Sequence, residues 1–214
     1  MNRRGTVLAA FALVFNALVW GVSWWPFREL QSQGLHPLWS TALIYFFSLA
    51  CIWAWRPGGW RNFAQHPQLW WLAVAAGLTN VGFNWAVTVG DVVRVVLLFY
   101  LMPAWSVLLA WGLLGETPTR ASLLRLVLAM AGVLIVLKSP GSPWPVPHSA
   151  ADWLALMGGF SFAATNVLLR RLAHTPSESR MMAMFGGGGL MATATALLGM
   201  AWHIVPAPVW STSW

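Results

Sequence analysis

The chain has 214 residues, of which 58 % are hydrophobic and only 8 % are charged, against roughly 25 % charged in an ordinary soluble domain. So few charges cannot give a globule of this size a polar surface, which excludes a soluble enzyme, a nucleic-acid module and a disordered chain. The 17 tryptophans are typical of bilayer interfaces. The composition therefore predicts an all-α protein that crosses a membrane several times.

Seven stretches are apolar enough to form a membrane helix, which needs about 20 such residues. Charged residues and Pro-Gly turns mark the ends of these stretches, and Pro26 is expected to end the first stretch. The tryptophans at the end of that stretch replace the small residues of a cleavage site, so it is interpreted as an uncleaved helix. In chain order, the predicted spans are 7–25, 37–55, 69–90, 95–115, 121–137, 153–169 and 181–202.

The formal net charge of +7 is distributed unevenly over the connections between these spans. With the N-terminus inside, the inner segments hold nine arginines against two acidic residues, and the outer segments hold three basic and three acidic residues. The excess of Lys and Arg on one side predicts a cytoplasmic N-terminus in the inner (plasma) membrane. The inner arginines are Arg3, Arg4, Arg56, Arg61, Arg120, Arg125, Arg170, Arg171 and Arg180. The charge thus sets orientation, and no nucleic-acid partner is needed to explain it.

Two segments separated by 142 residues resemble each other. Residues 20–30 and 162–172 share an aromatic residue, small residues, a hydroxyl and an exit of the form Arg-x-Leu. Five predicted spans separate the starts of the two segments, so the second copy enters the membrane in the opposite direction. Inverted repeats of this kind are a signature of secondary transporters.

Several motifs together resemble the drug/metabolite transporter superfamily, specifically its EamA-like branch. The likeness is carried by the sequences at 17–21, 35–38, 98–118, 129–136, 152–156 and 168–172, which include a proline-bearing fourth helix followed by a Gly-Glu turn. The resemblance implies a ten-helix transporter of two inverted repeats, with a central cavity that opens alternately to each side. It further implies an exporter of small metabolites or drugs.

The resemblance also implies a division of the chain. Residues 1–138 correspond to a first five-helix repeat, 139–148 to a Pro-rich outer loop, and 149–214 to the first two helices of a second repeat. The last three helices of the ten-helix pattern are then missing, as in a C-terminally truncated member. A native seven-helix variant, and a non-transporting fragment or accessory subunit, are the alternatives.

Polar and aromatic residues inside the predicted spans are candidates for the substrate cavity, because polar groups at membrane depth usually face the interior of a bundle. Each can instead bond neighbouring helices together. Asn80, Asn84 and Thr88 share one helical face, and Trp20 and Trp85 are suited to cage an aromatic or cationic substrate. The candidates are Asn16, Trp20, Ser23, Asn80, Asn84, Trp85, Thr88, Tyr100, Thr165 and Asn166.

Three further features are candidate moving parts. Asp91 and Arg94 lie three residues apart at the outer end of a helix, where they are expected to form a cap, an outer gate or an anchor for an anionic substrate. Pro103 is expected to kink the fourth span. The run Gly186, Gly187, Gly188 and Gly189 indicates close helix packing or a hinge.

Catalysis is not expected. An intramembrane serine protease is a less favoured alternative, because it would need a histidine at membrane depth, and the five histidines lie in loops or at a helix end. The single cysteine, Cys51, excludes a cysteine-based metal site within the chain. No metal and no cofactor are predicted, and the expected partners are the lipid bilayer and a small-molecule substrate.

Overall fold

The computed structural model describes residues 3–55, 58–59, 63, 65–138 and 147–208. Within them the chain is all-α and contains no strand, which confirms the predicted fold class. The predicted inner residues Arg56 and Arg61 and nearly all of the Pro-rich outer loop lie outside the described residues. The described helices are α1 (Arg3–Val22), α2 (Trp24–Ser32), α3 (Pro37–Trp55), α4 (Leu69–Val89), α5 (Val92–Phe99), α6 (Met102–Leu114), α7 (Arg120–Leu137), α8 (Ala150–Arg171) and α9 (Ser177–Ala201).

Six stretches of the described residues are long and apolar enough to cross a membrane. α1 with α2 forms the first and α5 with α6 forms the fourth. The stretches are Thr6–Ser32, Pro37–Trp55, Leu69–Val89, Val92–Leu114, Ala150–Arg171 and Ser177–Ala201. α7, the predicted fifth span, forms as a helix but is not among the six, so its crossing stays a prediction.

Two ion pairs show which way α7 runs. Arg94, at the start of α5, pairs with Asp152 at the start of α8, and Glu116, after the end of α6, pairs with Arg170 at the end of α8. The α5–α6 segment and α8 are therefore parallel, and the chain between them must return from the Glu116 end to the Arg94 end. α7 has 18 residues, which gives a length of about 27 Å and supports the predicted crossing.

The predicted repeat segments run in opposite directions. Arg28 of α2 donates a hydrogen bond to the Gly90 carbonyl at 2.5 Å, which places the exit of the first segment at the Arg94 end of the bundle. Arg170, in the exit of the second segment, lies at the Glu116 end. This is the arrangement that an inverted repeat requires, and the repeat itself stays a prediction.

α4 is the central helix, and 78 % of its apolar stretch is buried by other helices. Glycines allow its neighbours to approach closely. A Cβ on Gly82 would lie 2.7 Å from the Leu154 carbonyl oxygen of α8, and one on Gly77 would lie 2.6 Å from the Gly187 carbonyl oxygen of α9. α8 and α9 therefore pack on α4 through backbone contact at these crossings.

The prediction that Pro26 ends the first span is wrong. The helix is interrupted at Ser23, and α2 then continues through Pro26 to Ser32. Pro26 occupies the first turn of α2, where a backbone N–H has no partner within the helix, so its missing donor does no harm.

The predicted fourth span starts earlier than expected, at Val92, and is interrupted at Tyr100 and Leu101, just before Pro103. Pro103 has no N–H to donate to the Phe99 carbonyl four residues earlier. Gly159 of α8 packs on that carbonyl, and a Cβ there would lie 2.7 Å from its oxygen. The proline thus places the interruption, and a glycine on the facing helix makes room for it.

Candidate functional site

Two cavities lie beside α1 and α2. The first has a volume of about 460 Å³ and is lined by residues of α1, α2, α3 and α4. Its polar lining residues are Ser23, Tyr45, Asn80 and Asn84, and the rest of its wall is apolar, including Phe27. A volume of this size lies within the range of small-molecule sites.

The second cavity, of about 440 Å³, lies between the α1–α2 segment, α4, α5, α6 and α8. Its wall is largely aromatic, and Asn16 and Tyr100 are its residues with polar side chains besides the two tryptophans. Trp20 lines both cavities, and its ring packs on Phe83 with 5.2 Å between the ring centroids. The indole of Trp20 therefore stands at the boundary between the two spaces.

Each cavity is lined by an interruption in a helix. Ser23, between α1 and α2, lines the first cavity, and its hydroxyl donates to the Trp20 carbonyl at 2.9 Å. Tyr100, between α5 and α6, lines the second cavity. Discontinuous helices of this kind form substrate sites in many transporters, because unwound backbone is tolerated in a membrane only where it lines a cavity or is buried.

A row of polar side chains follows α4 along the first cavity. Asn80 accepts a hydrogen bond from the Tyr45 hydroxyl and donates to the Ala76 carbonyl at 2.7 Å. Asn84 donates through Nδ2 to the Thr41 hydroxyl at 3.0 Å. Among the described residues, no donor is paired with the Oδ1 of Asn84, which leaves this oxygen available within the cavity wall.

Six of the predicted cavity residues line one or both cavities: Asn16, Trp20, Ser23, Asn80, Asn84 and Tyr100. The other four lie elsewhere. Trp85 packs edge-on against His36, and Thr165 and Asn166 bond to carbonyls of their own helix. Thr88 bonds to the Asn84 carbonyl, because a step of four residues turns the face by about 40° each time and carries Thr88 away from the cavity.

The predicted pair of Asp91 and Arg94 forms a helix cap, and the Arg94 side chain also contacts another helix. Asp91 is the N-cap of α5 and accepts from the Arg94 backbone N–H at 2.8 Å. The guanidinium binds both carboxylate oxygens of Asp152, at 3.0 and 3.1 Å, and His148 Nδ1 lies 2.7 Å from the same carboxylate. This cluster lies at the helix ends and lines neither cavity.

The glycine run lies inside continuous α9, and all four positions are buried. Gly187 packs on the Ala73 backbone of α4, and Gly188 and Gly189 face the rings of Tyr45 and Phe46 on α3. Close packing accounts for these three glycines, and the hinge stays a prediction.

Sequence reasoning missed Tyr45 and Arg28. Tyr45 is one of only two tyrosines in the chain, and a hydroxyl in the middle of an apolar span must find a partner, which was the available signal. Arg28 was assigned only to an outer connection, yet it donates to the Val87 and Gly90 carbonyls at the end of α4.

His36 predicts a pH dependence of stability. Its Nδ1 accepts from the Leu38 backbone N–H at the start of α3, and burial lowers its pKa below the ordinary 6.5. Because the unfolded chain binds the proton more readily, the contribution of His36 to stability is present above about pH 6.5 and is lost as the pH falls. We expect the melting temperature of His36→Asn, which keeps a capping side chain, to rise relative to wild type between pH 7.5 and 5.5. A pH-independent difference would contradict this assignment.

The described residues contain no group of three or more His, Cys, Asp or Glu side chains placed to hold a metal ion. The side chains lining the two cavities are uncharged. The arrangement can therefore hold a small molecule through aromatic contacts and a few hydrogen bonds.

Comparison with known proteins gives one match. A family model described as the EamA-like transporter family matches residues 7–138, which is more than half of the chain. No curated protein and no solved structure matches the chain.

Proposed function

We propose, from the premise that this chain belongs to the EamA-like transporter family, that it carries a small molecule across the membrane through the two cavities that meet at Trp20. The family is one of membrane transporters, which accounts for the six apolar spans. Transport out of the cytoplasm across the inner membrane by alternating access is part of the proposal.

The observation that carries the proposal is the position of Trp20. This residue lines both the first and the second cavity, and each cavity is lined by an interruption in a helix. Bending at Ser23 would move α1 relative to α2, and bending at Tyr100 would move α5 relative to α6. Either movement changes the space around Trp20, which is what access from alternating sides requires.

The charge distribution supports a cytoplasmic N-terminus. Arg170 lies at the Glu116 end of the bundle, near the arginines at the start of α7, and Arg28 and Arg94 lie at the other end. The end richer in arginine is the cytoplasmic end under the positive-inside rule. α1 runs from that end towards the Arg94 end.

Purified protein in liposomes is expected to give protein-dependent flux of at least one member of a panel of radiolabelled small metabolites and drugs. Trp20→Ala should lower that flux at least about tenfold, since it removes a large aromatic surface from both cavities. Trp202→Ala is the matched control, because Trp202 is 69 % exposed and lies outside both cavities, and its flux should equal wild type.

Two outcomes would contradict the proposal. One is a panel in which no compound moves faster through protein-containing liposomes than through protein-free ones. The other is Trp20→Ala transporting as well as Trp202→Ala, which would move the pathway away from the cavities at Trp20.

A further inference from the structure

The polar groups that line the first cavity are neutral. The Ser23 hydroxyl donates to the Trp20 carbonyl, and the Tyr45 hydroxyl donates to Asn80. The side-chain nitrogens of Asn80 and Asn84 each donate to a protein oxygen as well. Each of these nitrogens keeps a second hydrogen, the Trp20 indole N–H is a further donor, and the hydroxyl and amide oxygens keep lone pairs. A ligand in this cavity therefore meets neutral donors and acceptors and no charged group.

The Asn84 Oδ1 is the clearest of these acceptors. The side chain is held by its bond to Thr41, which is itself fully buried, so the carboxamide group is anchored to α3 before any ligand binds. No donor among the described residues is paired with this oxygen. This oxygen is therefore an acceptor that a hydrogen-bond donor on a ligand can use.

The rest of the wall is suited to an apolar body that can carry a positive charge. Trp20 and Phe27 present aromatic surface, and the residues lining this cavity carry no charge. An ammonium group there can donate a hydrogen bond to the Asn84 oxygen and form a cation–π contact with the face of the Trp20 indole. A carboxylate finds no cation among the lining residues and faces the negative surfaces of the aromatic rings, so no opposite charge compensates its desolvation.

We infer that the first cavity selects organic amines and discriminates against carboxylates. The amines meant here carry an ammonium or amine group on an apolar or aromatic body. Asn84 is the residue that determines this preference. This inference rests on the proposed transport function, because it names the substrate class of the same site. The volume of about 460 Å³ is sufficient for a compound with a single aromatic ring system.

The test is binding of radiolabelled tryptamine to the purified protein in lipid nanodiscs at neutral pH, with indole-3-propionate as the competitor. The two probes share an indole and a short chain, and they differ in carrying an ammonium or a carboxylate. Tryptamine should bind at least about tenfold more tightly than indole-3-propionate, the difference expected for one charge-assisted hydrogen bond.

Three variants tie the preference to Asn84. Asn84→Leu should weaken tryptamine binding about tenfold or more, because it removes the acceptor. Asn84→Asp keeps an acceptor at this position and should bind tryptamine at least as tightly as wild type. Asn166→Leu is the matched control, since Asn166 bonds only to its own helix and lies outside both cavities, and it should leave affinity unchanged.

Failure of the inference can be told from failure of the proposed function. Equal or tighter binding of indole-3-propionate, no displaceable tryptamine binding, or unchanged affinity in Asn84→Leu each overturns the amine inference. If protein-dependent flux of another compound persists in liposomes, the transport proposal stands even though the amine inference fails. Tryptamine binding with no protein-dependent flux of any compound overturns the transport proposal and leaves the binding site in place.

Discussion

Gly187→Ala is expected to destabilise the protein strongly, by about 3 kcal/mol or more. A Cβ at this position would overlap the Ala73 carbonyl oxygen of α4 and lie 2.6 Å from its carbonyl carbon. Backbone of a neighbouring helix cannot move aside as a side-chain tip can. The crossing of α4 and α9 would have to open, and the melting temperature should fall by roughly 6 °C or more.

The adjacent glycine supplies the control. A Cβ on Gly186 meets only the Leu49 side chain, at 3.9 Å, which is an ordinary contact. Gly186→Ala should therefore be neutral or stabilise the protein by up to about 1 kcal/mol, since alanine is the better helix former. Both variants are measured by thermal unfolding in the same detergent, and equal melting temperatures would show that the close approach is not what determines stability here.

The second large effect is expected at the ion pair between α5 and α8. Arg94→Leu deprives the Asp152 carboxylate, whose side chain is 2 % exposed, of the guanidinium that bonds both of its oxygens. Removing one partner of a buried pair costs about 3–5 kcal/mol, so the melting temperature should fall by roughly 6–20 °C. The double variant Arg94→Leu with Asp152→Leu should recover much of this loss, because no buried charge remains unpaired.

Arg170→Leu is the matched comparison. The pair of Arg170 with Glu116 is 59 % and 48 % exposed, and exposed pairs are worth about 0–1 kcal/mol. A fall in melting temperature in Arg170→Leu as large as that in Arg94→Leu would contradict the distinction between the exposed and the buried ion pair. So would a double variant at positions 94 and 152 that is less stable than Arg94→Leu alone.

Much of the fold follows from the positions of charges and apolar runs. The predicted second span, 37–55, agrees with α3 at both ends, because Pro37 is favoured in the first turn of a helix and the following residues are continuously apolar. Asp91 was expected to cap this helix because an acidic residue is favoured near a helix N-terminus, and its side chain accepts from the Arg94 backbone N–H. These features depend on residues that are close in sequence.

The features that were missed depend on residues far apart in the chain. Arg94 was paired with Asp91 because they are three residues apart, yet its guanidinium contacts Asp152, 58 residues away. Tyr45 joins the cavity only because α3 packs beside α4. For the same reason, sequence alone could not show that Thr165 and Asn166 of α8 lie outside both cavities, since that depends on which helices pack against each face of α8.

The two ion pairs of α8 differ in their response to salt. At physiological ionic strength the Debye length is about 8 Å, so mobile ions weaken the exposed contact between Arg170 and Glu116 and hardly reach the buried contact between Arg94 and Asp152. The ion pair at one end of α8 is thus shielded from salt, and the ion pair at its other end is screened. Ionic strength on the Arg170 side of the membrane is therefore expected to change the strength of the electrostatic contact at that end and to leave the contact at the other end unchanged.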